Sequence, residues 1–205
     1  SFRSIRLRVA LVAATAALST LLAAAALAWS LGLAEDRIAA ALATQRRLDL
    51  WSAVSGRISD YTFMALEAAG GNATGAARLT ATRSSVASAF QDIEEALNAA
   101  IAEAPGDSAK AAAANRGRLL ARLRAGFEVL DRQIGERIAA AGPETADQIR
   151  GALNGFAVTF GPNLSAIMDD ERRTAGRILD DMRALRRNLT IAAAFGVLLA
   201  LLVGL

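Results

Sequence analysis

The sequence predicts an all-α fold in which two transmembrane helices flank an antiparallel, up-down-up-down four-helix bundle. Three observations lead to this prediction. The 205-residue chain has an apolar, uncharged run near each end, three turn signals divide the stretch between these runs, and apolar residues recur in that stretch at a spacing of three and four. No alternation of apolar and polar residues, which would be typical of β-strands, competes with the helical spacing.

Residues 9–34 are predicted to form the first transmembrane helix. The run contains no charged residue, and a helix of this length would reach about 39 Å, enough to cross a hydrocarbon core of about 30 Å. Residues 1–8 precede it with three arginines, which places this N-terminal stub in the cytoplasm. The rival interpretation is a secretory signal peptide with a cleavage site near Ala26–Ala28. We favour an anchor because the apolar run is about twice as long as a signal-peptide core.

Residues 189–205 are predicted to form the second transmembrane helix. This uncharged run is at the lower edge of the length that spans a bilayer, so we expect the helix to continue and this chain to be a fragment of a longer polypeptide. Two spans with a cytoplasmic N-terminus place residues 35–188 on the outer side of the membrane.

The region between the two runs is predicted to hold four helices of similar length. Glycine, proline, asparagine and aspartate cluster at residues 70–72, 105–107 and 142–143, which are typical turn signals. Short turns between long helices favour antiparallel neighbours. The predicted helices cover residues 35–69, 73–104, 107–141 and 144–188.

A Gly161–Pro162 pair interrupts the last predicted helix. Proline removes one backbone hydrogen bond and normally kinks or ends a helix. The apolar spacing nevertheless stays in phase from Phe156 through Phe160 to Leu164. We therefore expect one kinked helix from residue 144 into the second apolar run, with Gly161 and Pro162 as a hinge. Two helices broken at residue 161 are the alternative.

Composition excludes several classes of function. The chain has no histidine and no cysteine, which removes most metal sites, thiol chemistry and histidine-based acid–base catalysis. The net charge of +3 equals the three arginines of the stub, because residues 35–188 contain as many basic as acidic residues. A neutral outer domain argues against nucleic acid as a partner. We predict no catalytic residue, no metal site and no cofactor; the acidic run at residues 169–171, followed by two arginines, indicates a solvated, salt-bridged surface.

A ligand site is predicted from the antiparallel register. Because the first helix ascends as the fourth descends, Arg57 and Tyr61 should lie level with residues 152–166, and Arg46 and Arg47 should lie near the acidic run. An arginine with aromatic and amide neighbours fits an anion or an amino acid. The competing interpretation makes the aromatic residues core and the arginine a surface ion-pair partner. The predicted ligand-binding residues are Arg57, Tyr61, Asn154, Thr159, Phe160 and Asn163.

The whole organisation resembles the sensory part of bacterial transmembrane receptors. The resemblance is carried by the arginine-flanked first run (Phe2–Arg8), the four-helix region, and the stretch Met182–Arg187 that leads into the second run. Sensor histidine kinases and methyl-accepting chemotaxis proteins with four-helix-bundle input domains share this layout. The resemblance implies a signal-input function, a homodimer, and a small ligand or periplasmic protein as further partner besides the lipid bilayer. It also implies a bacterial inner membrane, with residues 35–188 in the periplasm. We expect a kinase sensor region, with a chemoreceptor or a structural accessory membrane subunit as the alternatives.

Overall fold

The computed structural model describes the backbone of residues 2–71, 73–104, 106–140 and 142–204. It describes side chains from residue 32 to residue 194 outside those gaps and residue 73, together with a few side chains between residues 17 and 30. This part of the chain folds into four helices. They are α1 (Phe2–Ala69), α2 (Ala73–Glu103), α3 (Asp107–Ala140) and α4 (Thr145–Gly204).

The helices end at the predicted turn signals. Gly71 closes the first turn with a φ of 80°, a left-handed conformation that favours glycine. Asp107 places a carboxylate in the first turn of α3, where it complements the helix dipole. Thr145 begins α4, and its Oγ1 accepts a hydrogen bond from the Gly142 amide at 2.8 Å. The all-α prediction and its four helices are thus confirmed.

Residues 44–173 form one compact unit, which we call the bundle. All four helices contribute to a single apolar core, and the boundaries of the bundle fall inside α1 and α4. The largest fully buried side chains of this core are Trp51, Tyr61, Phe90, Ile93, Leu97, Ile134 and Ile149.

Neighbouring helices of the bundle run antiparallel. Contacts between adjacent helices connect rising residue numbers on α2 with falling numbers on α3, and rising numbers on α3 with falling numbers on α4, while α1 and α2 meet beside their short turn. The pairs are Glu67–Arg78 for α1 and α2, Arg83–Asp131 and Glu94–Arg124 for α2 and α3, and Arg116–Glu171, Phe127–Phe156 and Arg137–Gln148 for α3 and α4.

The helix α4 passes through Pro162 without a break. The apolar spacing on both sides of the proline keeps one face of the helix towards the core, and this packing offsets the hydrogen bond that proline removes. The predicted continuity of this helix is confirmed, and the alternative of two helices broken at residue 161 is wrong.

The two transmembrane helices of the predicted fold are contradicted. Within the described residues, no helix contains a stretch that is both long enough and apolar enough to cross a membrane. Charged side chains follow residue 34 on α1, beginning with Glu35, Asp36 and Arg37, and they precede residue 189 on α4. Most side chains of residues 9–34, and those of 195–205, lie outside the described part. The inner-membrane localisation and the partners inferred from the spans stay predictions.

The second compact unit consists of residues 1–43 and 174–205. Within it, Arg37 of α1 and Asp181 of α4 form an ion pair at 3.4 Å. Several of its described apolar side chains are exposed, among them Ile38, Leu42 and Leu179. This ion pair joins α1 to α4 within the second unit.

Candidate functional site

The two predicted ligand residues on α1 lie in different environments. Arg57 is exposed and its guanidinium approaches Asp60 of the same helix at 4.0 Å. Tyr61, one turn later, is fully buried, and its ring packs edge-on against Phe127 of α3 with 4.8 Å between the ring centroids. The structure therefore places the arginine at the surface and the tyrosine in the core.

Three of the four predicted ligand residues on α4 are exposed. Thr159 Oγ1 donates a hydrogen bond to the Gly155 carbonyl at 2.8 Å, and Asn163 Nδ2 donates to the Thr159 carbonyl at 3.2 Å. Asn154 is also exposed, whereas Phe160 is half-buried and packs against the core. These hydrogen bonds run within α4 itself, so they do not join its polar residues to α1. The binding role of the six residues stays a prediction.

A different polar group connects three helices around Asp131. The Tyr61 hydroxyl of α1 donates to Asp131 Oδ1 of α3 at 2.7 Å, and Arg83 Nε of α2 donates to the same oxygen at 2.7 Å. Burial raises the pKa of the Tyr61 phenol well above its ordinary value, and the hydrogen bond to the Asp131 carboxylate raises it further. We call these three residues the Asp131 cluster.

The Tyr61 phenol is expected to make folding sensitive to alkaline pH. Because its folded pKa lies above the unfolded value of 10.0, its stabilisation is complete below that pH and declines as pH rises beyond it. The difference in unfolding free energy between wild type and Tyr61→Phe should shrink by about 1.4 kcal/mol per pH unit above about pH 10. Urea titrations from about pH 8 to about pH 11 measure this difference, and Tyr61 is the only tyrosine. If the unfolding free energies of wild type and Tyr61→Phe change in parallel with pH, the expectation is contradicted.

Among the described residues, a network of ion pairs and hydrogen bonds surrounds Glu171 of α4. This carboxylate is fully buried. Arg47 of α1 donates to both of its oxygens, from Nε at 3.2 Å and from Nη2 at 3.3 Å. Arg116 Nε of α3 lies 3.3 Å from Oε1. The carboxylate is thus held by arginines of two other helices.

Two further side chains complete this site, which we call the Glu171 cluster (Thr44, Arg47, Arg116, Asp170 and Glu171). Thr44 Oγ1, also buried, accepts a hydrogen bond from Arg47 Nη2 at 3.0 Å. Arg116 makes a second ion pair with Asp170. Both arginine side chains are mostly shielded from solvent, with exposed fractions of 13% and 15%. The two arginine charges are balanced by the buried Glu171 and by Asp170, whose side chain is 51% exposed.

The sequence predicted part of this cluster. Arg47 lies near the acidic run as the antiparallel register requires, whereas Arg46 is exposed. The expectation of a solvated surface is wrong for Glu171, which continues the buried face of α4 four residues after Ile167. That spacing could have identified it. The participation of Arg116 was missed, because the register alone did not identify which residue of α3 faces the carboxylate.

The fully buried Trp51 lies one turn after Arg47 on α1. Its indole Nε1 has no hydrogen-bond partner among the described residues. A buried N–H without an acceptor costs about 1–3 kcal/mol, so apolar packing must hold the ring in place. The indole is a buried fluorophore close to the cluster.

A groove of about 530 Å³ lies between α2 and α3. Leu97, Ile101 and Leu120 form part of its apolar wall, and Glu94 and Arg124 stand among its charged residues. The six predicted ligand residues belong to α1 and α4 and are not part of its lining. The groove is therefore separate from the predicted ligand site.

The charged side chains among the described residues interact through ion pairs and hydrogen bonds. No three acidic, histidine or cysteine side chains in this part of the chain converge as a metal site requires. Buried ion pairs contribute little net stability compared with apolar packing, but they can fix how helices align.

The chain matches no protein-family model, and searches of curated proteins and of solved structures found no similar protein.

Proposed function

We propose that this chain is the signal-input module of a bacterial sensory receptor. The class we favour is a sensor histidine kinase, and a chemoreceptor is the alternative. The observation that carries the proposal is the fully buried Glu171 of α4, bound by Arg47 of α1 and Arg116 of α3. This carboxylate makes the alignment of three helices depend on one set of charged contacts.

The position of the cluster supports an input function. Thr44 is the first residue of the bundle on α1. Glu171 lies two residues before the bundle ends on α4, at residue 173. Each of these two helices continues beyond the bundle without interruption. A change in the packing of the cluster would therefore displace the helices that leave the bundle. Displacements of about 1–2 Å along or between helices are typical of such transmission.

The energetics of the cluster suit a switch between two arrangements. For a buried ion pair, the free-energy cost of removing the charges from water is roughly equal to the gain from their attraction. A second arrangement of the helices, with altered contacts, can therefore lie close in free energy to the observed one. A ligand must favour one arrangement by about 5.5 kcal/mol to move the populations from 1:99 to 99:1. A small ligand, a partner protein or a second copy of the chain can supply such a difference through contacts made in one arrangement only.

The proposal is tested in the complete gene of the host cell by replacing Glu171 with glutamine. Glutamine keeps the shape of the side chain but removes the charge that both arginines bind. A signal-input module should then change basal output severalfold, measured as transcript levels of the genes that respond to deletion of the receptor or, for a chemoreceptor, as swimming bias.

The matched control is Glu128→Gln, which removes an exposed carboxylate that pairs with Arg124 at 3.3 Å. It should leave the output unchanged, because exposed ion pairs contribute little. If Glu171→Gln protein accumulates to the wild-type level and its output equals that of the control, the proposal fails. Loss of a larger complex without any altered output would instead favour the accessory subunit.

A further inference from the structure

The bundle contains an unusually close contact between α3 and α4 away from the Glu171 cluster. The ring of Phe160 lies directly on the backbone of Gly126, and a Cβ built at Gly126 would overlap the ring. Phe160 also packs on Phe156 with 4.8 Å between the ring centroids, and Phe156 packs on Phe127 at 6.4 Å. Glycine at position 126 is therefore required for α4 to approach α3 in this way.

The helix α4 is weakened immediately after that contact. Pro162 has no N–H, so the Val158 carbonyl lacks its helical donor, and the proline ring crowds that carbonyl. Gly161 further lowers the local helix propensity. The Thr159 hydroxyl bonds the carbonyl of the preceding turn, an arrangement that often bends helices. Pro162 is exposed whereas Phe160 packs on α3, so the weakened side and the anchored side of α4 are opposite.

From this geometry we infer that Phe160, seated on Gly126, is a pivot for bending of α4. Residues 163–173, which pack on the core through Leu164, Ile167 and Met168, swing about it relative to residues 145–158. The swinging segment carries Glu171, so bending at Pro162 changes the geometry of the Glu171 cluster. This bending of α4 does not depend on whether the chain receives signals.

The pivot is tested with two pairs of spin labels on the full chain, which contains no natural cysteine. One pair, Asn115→Cys with Arg173→Cys, reports the distance from α3 to the swinging segment. The other, Glu136→Cys with Arg150→Cys, reports the distance from α3 to residues 145–158; all four sites are exposed. Pro162→Ala should narrow the first distance distribution and leave the second unchanged. An unchanged width in the first pair would overturn the pivot.

A second variant tests the contact with Gly126. Gly126→Ala forces the Phe160 ring away and should shift the Asn115–Arg173 distance by about 1–2 Å, with little change in the other pair. The matched control is Gly135→Ala on the same helix, where an added Cβ meets no atom within 4 Å. Equal shifts in both label pairs, or an equal effect of the control, would contradict the pivot. If Gly126→Ala does not fold, Phe160→Leu replaces it, because leucine keeps apolar volume without a ring to seat on the glycine.

Discussion

Replacing Arg116 by methionine is expected to lower the free energy of unfolding by about 3 kcal/mol. The substitution keeps much of the apolar side-chain volume but removes one of the two cations that face the fully buried Glu171. The carboxylate then keeps Arg47 alone, and part of its lost hydration is no longer compensated. Urea unfolding followed by circular dichroism measures the loss, provided that the transition is two-state.

The matched control for this prediction is Arg124→Met on the same helix. Arg124 also pairs with two carboxylates, Glu94 at 3.1 Å and Glu128 at 3.3 Å, but its side chain is 46% exposed. We expect a loss below about 1 kcal/mol, because water screens exposed ion pairs. Equal losses for the two arginines would show that burial of the cluster has no energetic consequence.

Replacing Phe127 by alanine is expected to lower the free energy of unfolding by about 3–5 kcal/mol. The Phe127 ring contacts an aromatic ring on each of the other three helices, with centroid distances of 4.8 Å to Tyr61, 5.9 Å to Phe90 and 6.4 Å to Phe156. Alanine removes this packing and leaves a cavity in the middle of the bundle core. The same urea titrations measure the loss.

The matched control is Phe63→Ala, because the Phe63 side chain is 65% exposed. Its removal should change stability by no more than about 0.5 kcal/mol. A loss below about 1 kcal/mol for Phe127→Ala would mean that the helices do not share one core at this position.

Much of the helical architecture could be predicted because its signals are local. The turn residues near positions 71, 106 and 142 coincide with the observed helix ends. The apolar spacing across Pro162 predicted the continuity of α4, since residues on one face of a helix recur every three to four positions. The transmembrane helices were the error, as no described helix is long and apolar enough to cross a membrane.

The contacts between helices were harder to predict because they depend on the rotation of whole helices. Antiparallel register placed Arg47 level with Glu171, but it could not show that Arg116 also turns towards the carboxylate. Three consecutive acidic residues gave no sign of which one is buried until the spacing from Ile167 is taken into account. Nothing in the local sequence indicates that Gly126 receives the Phe160 ring, since that contact joins residues on two helices.

The central claim is that the charges of the Glu171 cluster set the position of α4 relative to α1 in the bundle. It is tested most directly by the distance between spin labels at Gln45→Cys on α1 and Arg173→Cys on α4, two exposed sites near the cluster. The full chain is compared with its Glu171→Gln variant and with the Glu128→Gln control. We predict that Glu171→Gln shifts the mean distance by about 1–2 Å or adds a second population, while the control leaves it unchanged. A distance distribution identical to that of wild type in a folded Glu171→Gln protein would contradict the claim.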